Sequence, residues 1–448
     1  MKNQRTQLGF ALLSGALALV FPIRVLGFLL EHGGNNVSTD TLLFLPLVEK
    51  LLSGAYSWKD LFLYPLINGH LSTIIVAVFW ASAKVGELNI YPILYLGMIL
   101  GALRVVLIFD AVTHGSKGRL KWVFLPIFSA LVFAPSLISG YEFEQSSMQL
   151  NPSLFGLFLG LWSLSRFPGT WKGILIAAIA GAIATASHGS GILVWPIFFL
   201  GLFLCGYRKW YQYLFLVALG TVACLPYLYV MFFADRIAQI PEIQRSLSDP
   251  FFQGIGTYFV FGQKSPLVTF FNPSLFLQAI GWPLLPDYSP HSAVVHGLVF
   301  LGLLLAGGGA FYFCRGSRPR RAVPGFLLVG YGILSIWLVS CYRFTLVPWY
   351  APPFMTLYIG IVALAFAAFP EAEPEDEGKG FSETAGRGRS LEAWGILVLL
   401  VVGYFYLSSD FTMKSKSSHS RFRSPAAAAC LRHFDEAPTY CESTFFWT

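Results

Sequence analysis

Apolar stretches of about 17–25 residues follow one another along almost the whole chain, each long enough to carry an α-helix through the hydrocarbon core of a bilayer. Nothing else in the sequence narrows the possible folds so far. The composition agrees: of 448 residues, 55% are hydrophobic and 12% charged, about half the charged share of a soluble domain. Aromatics reach 17% and the mean hydropathy is +0.63. The chain reads as an all-α polytopic membrane protein and not as a large soluble enzyme.

The net charge of +7 says little about nucleic acid, and no nucleic-acid partner is expected. It reflects Lys and Arg gathered in short loops, the signal that orients membrane proteins. The clusters are Lys2/Arg5, Lys117/Arg119/Lys121, Arg166/Lys172, Arg208/Lys209 and Arg315/Arg318/Arg320/Arg321, all read as cytoplasmic. The first apolar segment is too long for a signal-peptide core and lacks a clear small-residue cleavage site, so it reads as a retained span. With the N-terminus inside, spans are predicted at 8–30, 91–112, 122–140, 152–165, 173–187, 190–206, 212–233, 293–314, 323–341, 351–369 and 391–408, about 11 in all. Arg104, a rare ionisable residue within a span, is expected to snorkel inward.

Between the first two spans, residues 31–90 stay outside. Residues 41–53, TLLFLPLVEKLLS, are amphipathic and end at Gly54; Glu49 reads as part of their solvated face. The segment 69–86, GHLSTIIVAVFWASAKVG, is apolar enough to cross, yet a crossing would put the basic loop 117–121 outside. Read as a helix in the outer interface, it leaves every basic cluster inside. The outer loop 234–292 is too apolar for a linker and is expected to fold against the membrane. Residues 1–369 thus form the transmembrane core. The segment 370–390 has the composition of a flexible cytoplasmic linker, and 409–448 form an outer tail. Cys205, Cys224, Cys314 and Cys341 read as apolar packing. Cys430 and Cys441 lie in the tail, where an oxidising compartment would allow a disulfide. No internal repeat is evident, which speaks against a transporter built from inverted repeats.

An acidic residue soon after the first span, an amphipathic helix ending in Ser-Gly, and a second interfacial helix before the next span resemble the GT-C integral-membrane glycosyltransferases. The pattern is similar to their oligosaccharyl, protein-mannosyl and aminoarabinose transferases. Three further stretches fit: MQLNPSLFGLFLGLW (148–162), TWKGILIAAIAGAIATASHGSGILVWPIFFL (170–200) and CYRFTLVPWYAPPF (341–354). They resemble the family's loop after the third span, its helical hairpin with a polar bend, and its late Arg/Tyr-Pro segment near the lipid phosphate. The outline is also similar to a set of bacterial membrane proteins with a Cys-containing outer tail. Three departures stand beside the likeness. Thr41 follows Asp40 where the family often has a second acid, Asn151 replaces the acid of the second outer loop, and Gly69-His70 stands where a Lys is common.

The resemblance implies sugar transfer from a polyprenyl-phosphate-linked donor to a glycan, lipid or protein acceptor on the outer side of the membrane, with inversion at the anomeric carbon. Membrane lipids are the other expected partners, and a bacterial inner membrane is the expected setting. Asp40 matches the catalytic carboxylate, which would take the acceptor's proton; as part of STDTLL it also reads as a cap for the helix that follows. Arg343 is the preferred phosphate partner because guanidinium matches phosphate oxygens, and it also reads as an interfacial Arg. Lys264 and Arg245 are weaker candidates. Glu142 and Glu144, with Asp40, have the chemistry to hold a divalent cation, Mg or Mn, that neutralises the leaving phosphate; they also read as an exposed polar loop. Gln149 and Asn151 are candidates for sugar hydroxyls, and His70 for a phosphate or metal contact, though it also reads as an interfacial polar anchor. His188, in SHGSG, is either bend filler or a ligand contact. Trp195, Trp282 and Trp349 fit an aromatic belt. Two other readings stay open: an O-antigen-type polymerase or ligase, and a non-catalytic membrane scaffold or transporter.

Overall fold

A computed structural model of the chain describes residues 2–32, 45–56, 66–67, 70–71, 73–86, 88–116, 121–142, 144–237, 273–281, 283, 294, 297–298, 319–342 and 350–368. The helices are α1 (Lys2–His32), α2 (Leu45–Ser53), α3 (Thr73–Gly86), α4 (Tyr91–Thr113), α5 (Lys121–Val132), α6 (Ser139–Glu142) and α7 (Glu144–Arg166). They continue as α8 (Trp171–Ser187), α9 (Val194–Leu204), α10 (Trp210–Ile237), α11 (Pro273–Gly281), α12 (Pro319–Tyr342) and α13 (Ala351–Ala368). Short 3₁₀ turns at Pro135–Leu137 and Gly189–Leu193 precede α6 and α9. Two-residue strands, β1 (Leu66–Ile67) and β2 (His70–Leu71), pair antiparallel, with Ile67 opposite His70.

This is an all-α membrane protein. Among the described residues four helices are long and apolar enough to cross a bilayer: Gln7–Glu31, Tyr91–Thr113, Trp210–Leu228 and Arg321–Cys341. Shorter apolar helices at Thr73–Gly86, Lys121–Val132, Trp171–Ser187, Gly189–Leu204 and Ala351–Ala367 lie among them. The expected span 293–314, apart from 294 and 297–298, lies outside the described residues, as do the span 391–408, the linker 370–390 and the tail with Cys430 and Cys441.

Two boundaries differ from the sequence reading. Helix α5 stops at Val132 and not near 140, because Pro135 has no N–H to donate and holds Ala134 extended, at φ −60° and ψ 142°. Helix α7 begins at Glu144, a full two turns before Pro152, which sits inside it. The polar run before that proline is therefore helical, not a loop.

Local chemistry sets the helix ends. The Thr170 hydroxyl accepts from Gly173 N–H at 3.3 Å and caps α8. Tyr91 N–H donates to Asn89 Oδ1 at 3.1 Å, with Pro92 in the first turn of α4.

The basic helix ends gather on one side of the molecule. Arg166 at the end of α7 meets His114, after α4, at 2.7 Å, and Lys121 Nζ donates to Ser116 O at 3.0 Å. Arg321 of α12 lies against Gly115, and Tyr207 donates to Phe167 O at 2.8 Å, joining the α9–α10 and α7–α8 links. Exposed aromatics collect there too: Trp171 and Tyr211 stack at 5.8 Å, as interfacial rings do. An apolar groove of about 530 Å³ runs between the C-terminal half of α1 (Pro22, Leu26, Leu30) and the N-terminal half of α4 (Tyr95, Met98, Ile99, Ala102). That pairing makes α1 and α4 antiparallel, so α1 ends and α4 begins on the side away from the basic ends. Helix α3 packs against α2, α4, α7 and α8, with Ile75, Val76 and Phe79 buried.

Trp195 is not an interfacial anchor, contrary to the sequence reading. Its indole lies between Gly181 of α8 and Gly220 of α10, where a Cβ on either glycine would come within 2.9 Å of the ring. Its N–H donates to Thr185 Oγ1 at 2.8 Å, so the polar edge is satisfied while the ring fills the space between three helices.

Candidate functional site

Helix α7 carries Ser147, Gln149, Asn151 and Ser153 within two turns, and all four are buried. Residues four apart share a helix face, and residues two apart point to nearly opposite sides. Ser147 and Asn151 face α4. Ser153 faces Tyr331 of α12. A polar run buried on both sides at membrane depth is costly unless each group finds a partner.

On the α4 side the partner is Arg104. The approach is close because α4 presents Gly97 and Gly101 to α6 and α7. A side chain at Gly97 would collide with Ser147, and one at Gly101 would come within 2.7 Å of the Tyr141 hydroxyl. Arg104, one turn further along the same face, is 4% exposed. Its Nη2 donates to Tyr141 Oη at 2.8 Å and to Asn151 Oδ1 at 2.6 Å.

Both acceptors are held in place. Tyr141 donates in turn to Val132 O at 3.0 Å, one of the carbonyls orphaned where α5 stops, and its ring stacks on Phe133 at 5.4 Å. Asn151 Nδ2 donates to Gly140 O at 2.9 Å and, longer, to Ser147 Oγ at 3.4 Å, which turns Oδ1 toward the guanidinium. Arg104 Nε is buried with no hydrogen-bond partner, and no carboxylate among the described residues forms an ion pair with Arg104. The expectation that Arg104 snorkels inward is therefore corrected. At a rise of about 1.5 Å per residue it lies ~20 Å from Tyr91 and ~14 Å from Thr113, beyond a side chain's reach of either end, and it points into the protein.

On the other side of α7, His188 terminates α8 and starts the 3₁₀ turn. Ser190 N–H donates to His188 Nδ1 at 3.2 Å, and Ser190 Oγ lies 2.8 Å from the same nitrogen. An accepting Nδ1 leaves the proton on Nε2. Tyr331 donates to Ser190 Oγ at 3.2 Å. The Ser153 and Ser335 hydroxyls turn toward Tyr331 without a well-formed hydrogen bond. His188 thus fixes the bend.

Glu142 and Gln149 are buried near the start of α7, and Glu49 is exposed. Glu144 opens α7 and His70 lies in β2 against α8, but their side chains, like Asp40, Arg245, Lys264, Trp282, Arg343 and Trp349, lie outside the described residues. Among the described residues no three His, Cys, Asp or Glu side chains come together to hold a metal ion. At the basic end, Asp110 of α4 accepts from Trp162 Nε1 at 2.7 Å and lies 3.9 Å from Arg166 Nε of α7.

What the structure brings together, then, is Asn151 with Arg104 and Tyr141, and His188 with Ser190 and Tyr331. Sequence reasoning did not single out the Arg104–Tyr141 pair. The signal was present: Gly97, Gly101 and Arg104 recur at helical spacing, which puts the cation on the close-packed face. No protein-family model matches the chain, and no curated protein is similar to it.

Proposed function

We propose that the chain is an integral-membrane glycosyltransferase of the GT-C kind, moving a sugar from a polyprenyl-phosphate-linked donor to a glycan, lipid or protein acceptor. In this reading the N-terminus is cytoplasmic, the reaction faces the outer side of a bacterial inner membrane, and the chain crosses about 11 times. Helices α2 and α3 lie in the outer interface. The observation that supports it is their placement. The helices on either side, α1 and α4, end and begin away from the basic ends, and α3 rests on α7, which carries the buried polar run.

The chemistry follows from the sugar. The acceptor hydroxyl oxygen attacks the anomeric carbon, the bond from that carbon to the phosphate oxygen breaks, and the acceptor's proton passes to Asp40. The phosphate departs with the electron pair and needs positive charge more than a proton; Arg343, with Lys264, is assigned to it. His70, His188 and Gln149 are assigned to sugar and phosphate contacts, while Asn151, committed to Arg104, Gly140 and Ser147, orders the buried polar run. Glu142, Glu144 and Asp40 would hold a divalent cation that neutralises the same leaving group.

The test is glycan and glycolipid profiling of a deletion strain complemented with wild type, Asp40→Asn or Arg343→Ala, with membrane levels of each matched. The expected outcome is that wild type restores a missing sugar and both variants accumulate the lipid-linked donor. Full complementation by Asp40→Asn would overturn the reading.

A further inference from the structure

We infer that the acidic run 371–377 of this chain docks across the basic ends of α4, α5, α7 and α12. Helices α12 and α13 pack antiparallel: Gly325 lies against Gly360 and Leu364, and Gly332 against Leu357. The end of α13 at Ala368 therefore lies beside the first turn of α12, which carries Arg321. Phe366 of α13 also meets Phe124 of α5 edge-on at 4.7 Å, one turn from Lys121. The chain thus leaves α13 among the basic ends. Five carboxylates, Glu371, Glu373, Glu375, Asp376 and Glu377, follow within nine residues.

That end of the molecule carries an excess of cations. Arg321 approaches Gly115, next to His114, which Arg166 contacts at 2.7 Å, and Lys121 reaches Ser116 in the same link. The sequence adds Lys117 and Arg119 between α4 and α5, and Arg318 and Arg320 at the start of α12. Among the described residues Asp110 is the one carboxylate there, 3.9 Å from Arg166. Gathered cations repel one another, and an acidic segment tethered at their edge meets them at a high effective concentration. A single exposed ion pair is weak; several formed by one segment act together. The reach is sufficient. Helix α4 touches both α12 and α7, so the run has at most two helix spacings to cross, ~20 Å. Nine residues extend up to ~30 Å, and Pro370 and Pro374 disfavour helix there. The inference uses neither the sugar chemistry nor the sidedness of the membrane.

The test treats full-length protein, in nanodiscs containing phosphatidylglycerol, with a water-soluble carbodiimide. The reagent joins a carboxylate to an amine where the two are in contact, and mass spectrometry identifies the joined peptides. Cross-links from Lys117 or Lys121 to 371–377 are expected. Their yield is expected to fall about tenfold at ~1 M salt, where the screening length shortens to about 3 Å. A several-fold fall is expected in the double variant Arg166→Gln/Arg321→Gln, which keeps both lysines. Absence of these cross-links at low salt overturns the inference, as does a yield that either salt or the double variant leaves unchanged. Cross-links that form in phosphatidylcholine alone and vanish with phosphatidylglycerol also overturn it, and assign the basic ends to lipid headgroups. The transferase reading fails separately, on complementation by Asp40→Asn.

Discussion

Tyr141 is where three loose ends meet: a helix-terminal carbonyl, a buried cation and an aromatic ring that needs a neighbour. Its hydroxyl donates to Val132 and accepts from Arg104. Tyr141→Phe keeps the stacking on Phe133 but leaves both groups short of a partner. It is expected to lower stability by about 1–3 kcal/mol, measured by unfolding in detergent. An unchanged midpoint would mean that water serves both groups equally well. At this scale the sequence is legible where residue type leaves few choices. Glu49 is exposed on the amphipathic helix as its pattern requires. It is less legible where the partner is distant in sequence. Arg104 and Asn151 are 47 residues apart, and an isolated cation in an apolar run reads as snorkelling until the face it shares with Gly97 and Gly101 is considered.

Among the helices, the sequence reading ran through one proline boundary and set another that the structure lacks. Pro135 ends α5, since its ring forbids the next turn and Ala134 takes the extended conformation it imposes. Pro152 reads as a similar boundary, yet α7 runs through it, with Leu150, Asn151 and Leu154 buried on either side. Packing over that stretch outweighs the one hydrogen bond a proline removes. The glycines of α8 and α10 make a sharper test. Gly181→Val puts branched carbons where the Trp195 ring sits. Because overpacking a close helix contact costs about 1–3 kcal/mol, a matching loss of stability is expected, and pairing it with Trp195→Leu should recover part of it. No recovery in the double variant would place the strain elsewhere in α8.

At the scale of the whole molecule, the structure brings basic loops together at one end of the helices. Basic loops chosen from sequence meet in space through His114–Arg166 and Phe167–Tyr207, and Lys121 folds back on Ser116 within its own loop. Membrane-impermeant maleimide should therefore label single cysteines at Tyr56 and Val85, both exposed, from one side of sealed vesicles, and cysteines at Gly115 and Lys209 from the other. Labelling of Tyr56 and Val85 from opposite sides would show that α3 crosses the membrane. The short helices were harder to assign, because 12 to 17 apolar residues fit a span, an interior helix or an interfacial one equally well until their neighbours are known.

Helices α4 and α7 also run in the same direction. Gly97 meets Ser147 near their starts, and Asp110 meets Trp162 near their ends. Antiparallel neighbours cancel one another's macrodipoles, whereas this pair adds, each carrying about half an elementary positive charge at its amino end. Both amino ends point away from the Lys- and Arg-rich loops. The side of the molecule from which α4 and α7 start therefore presents a positive potential to an approaching anion, made by peptide groups that cannot titrate and screened by salt only where water reaches them.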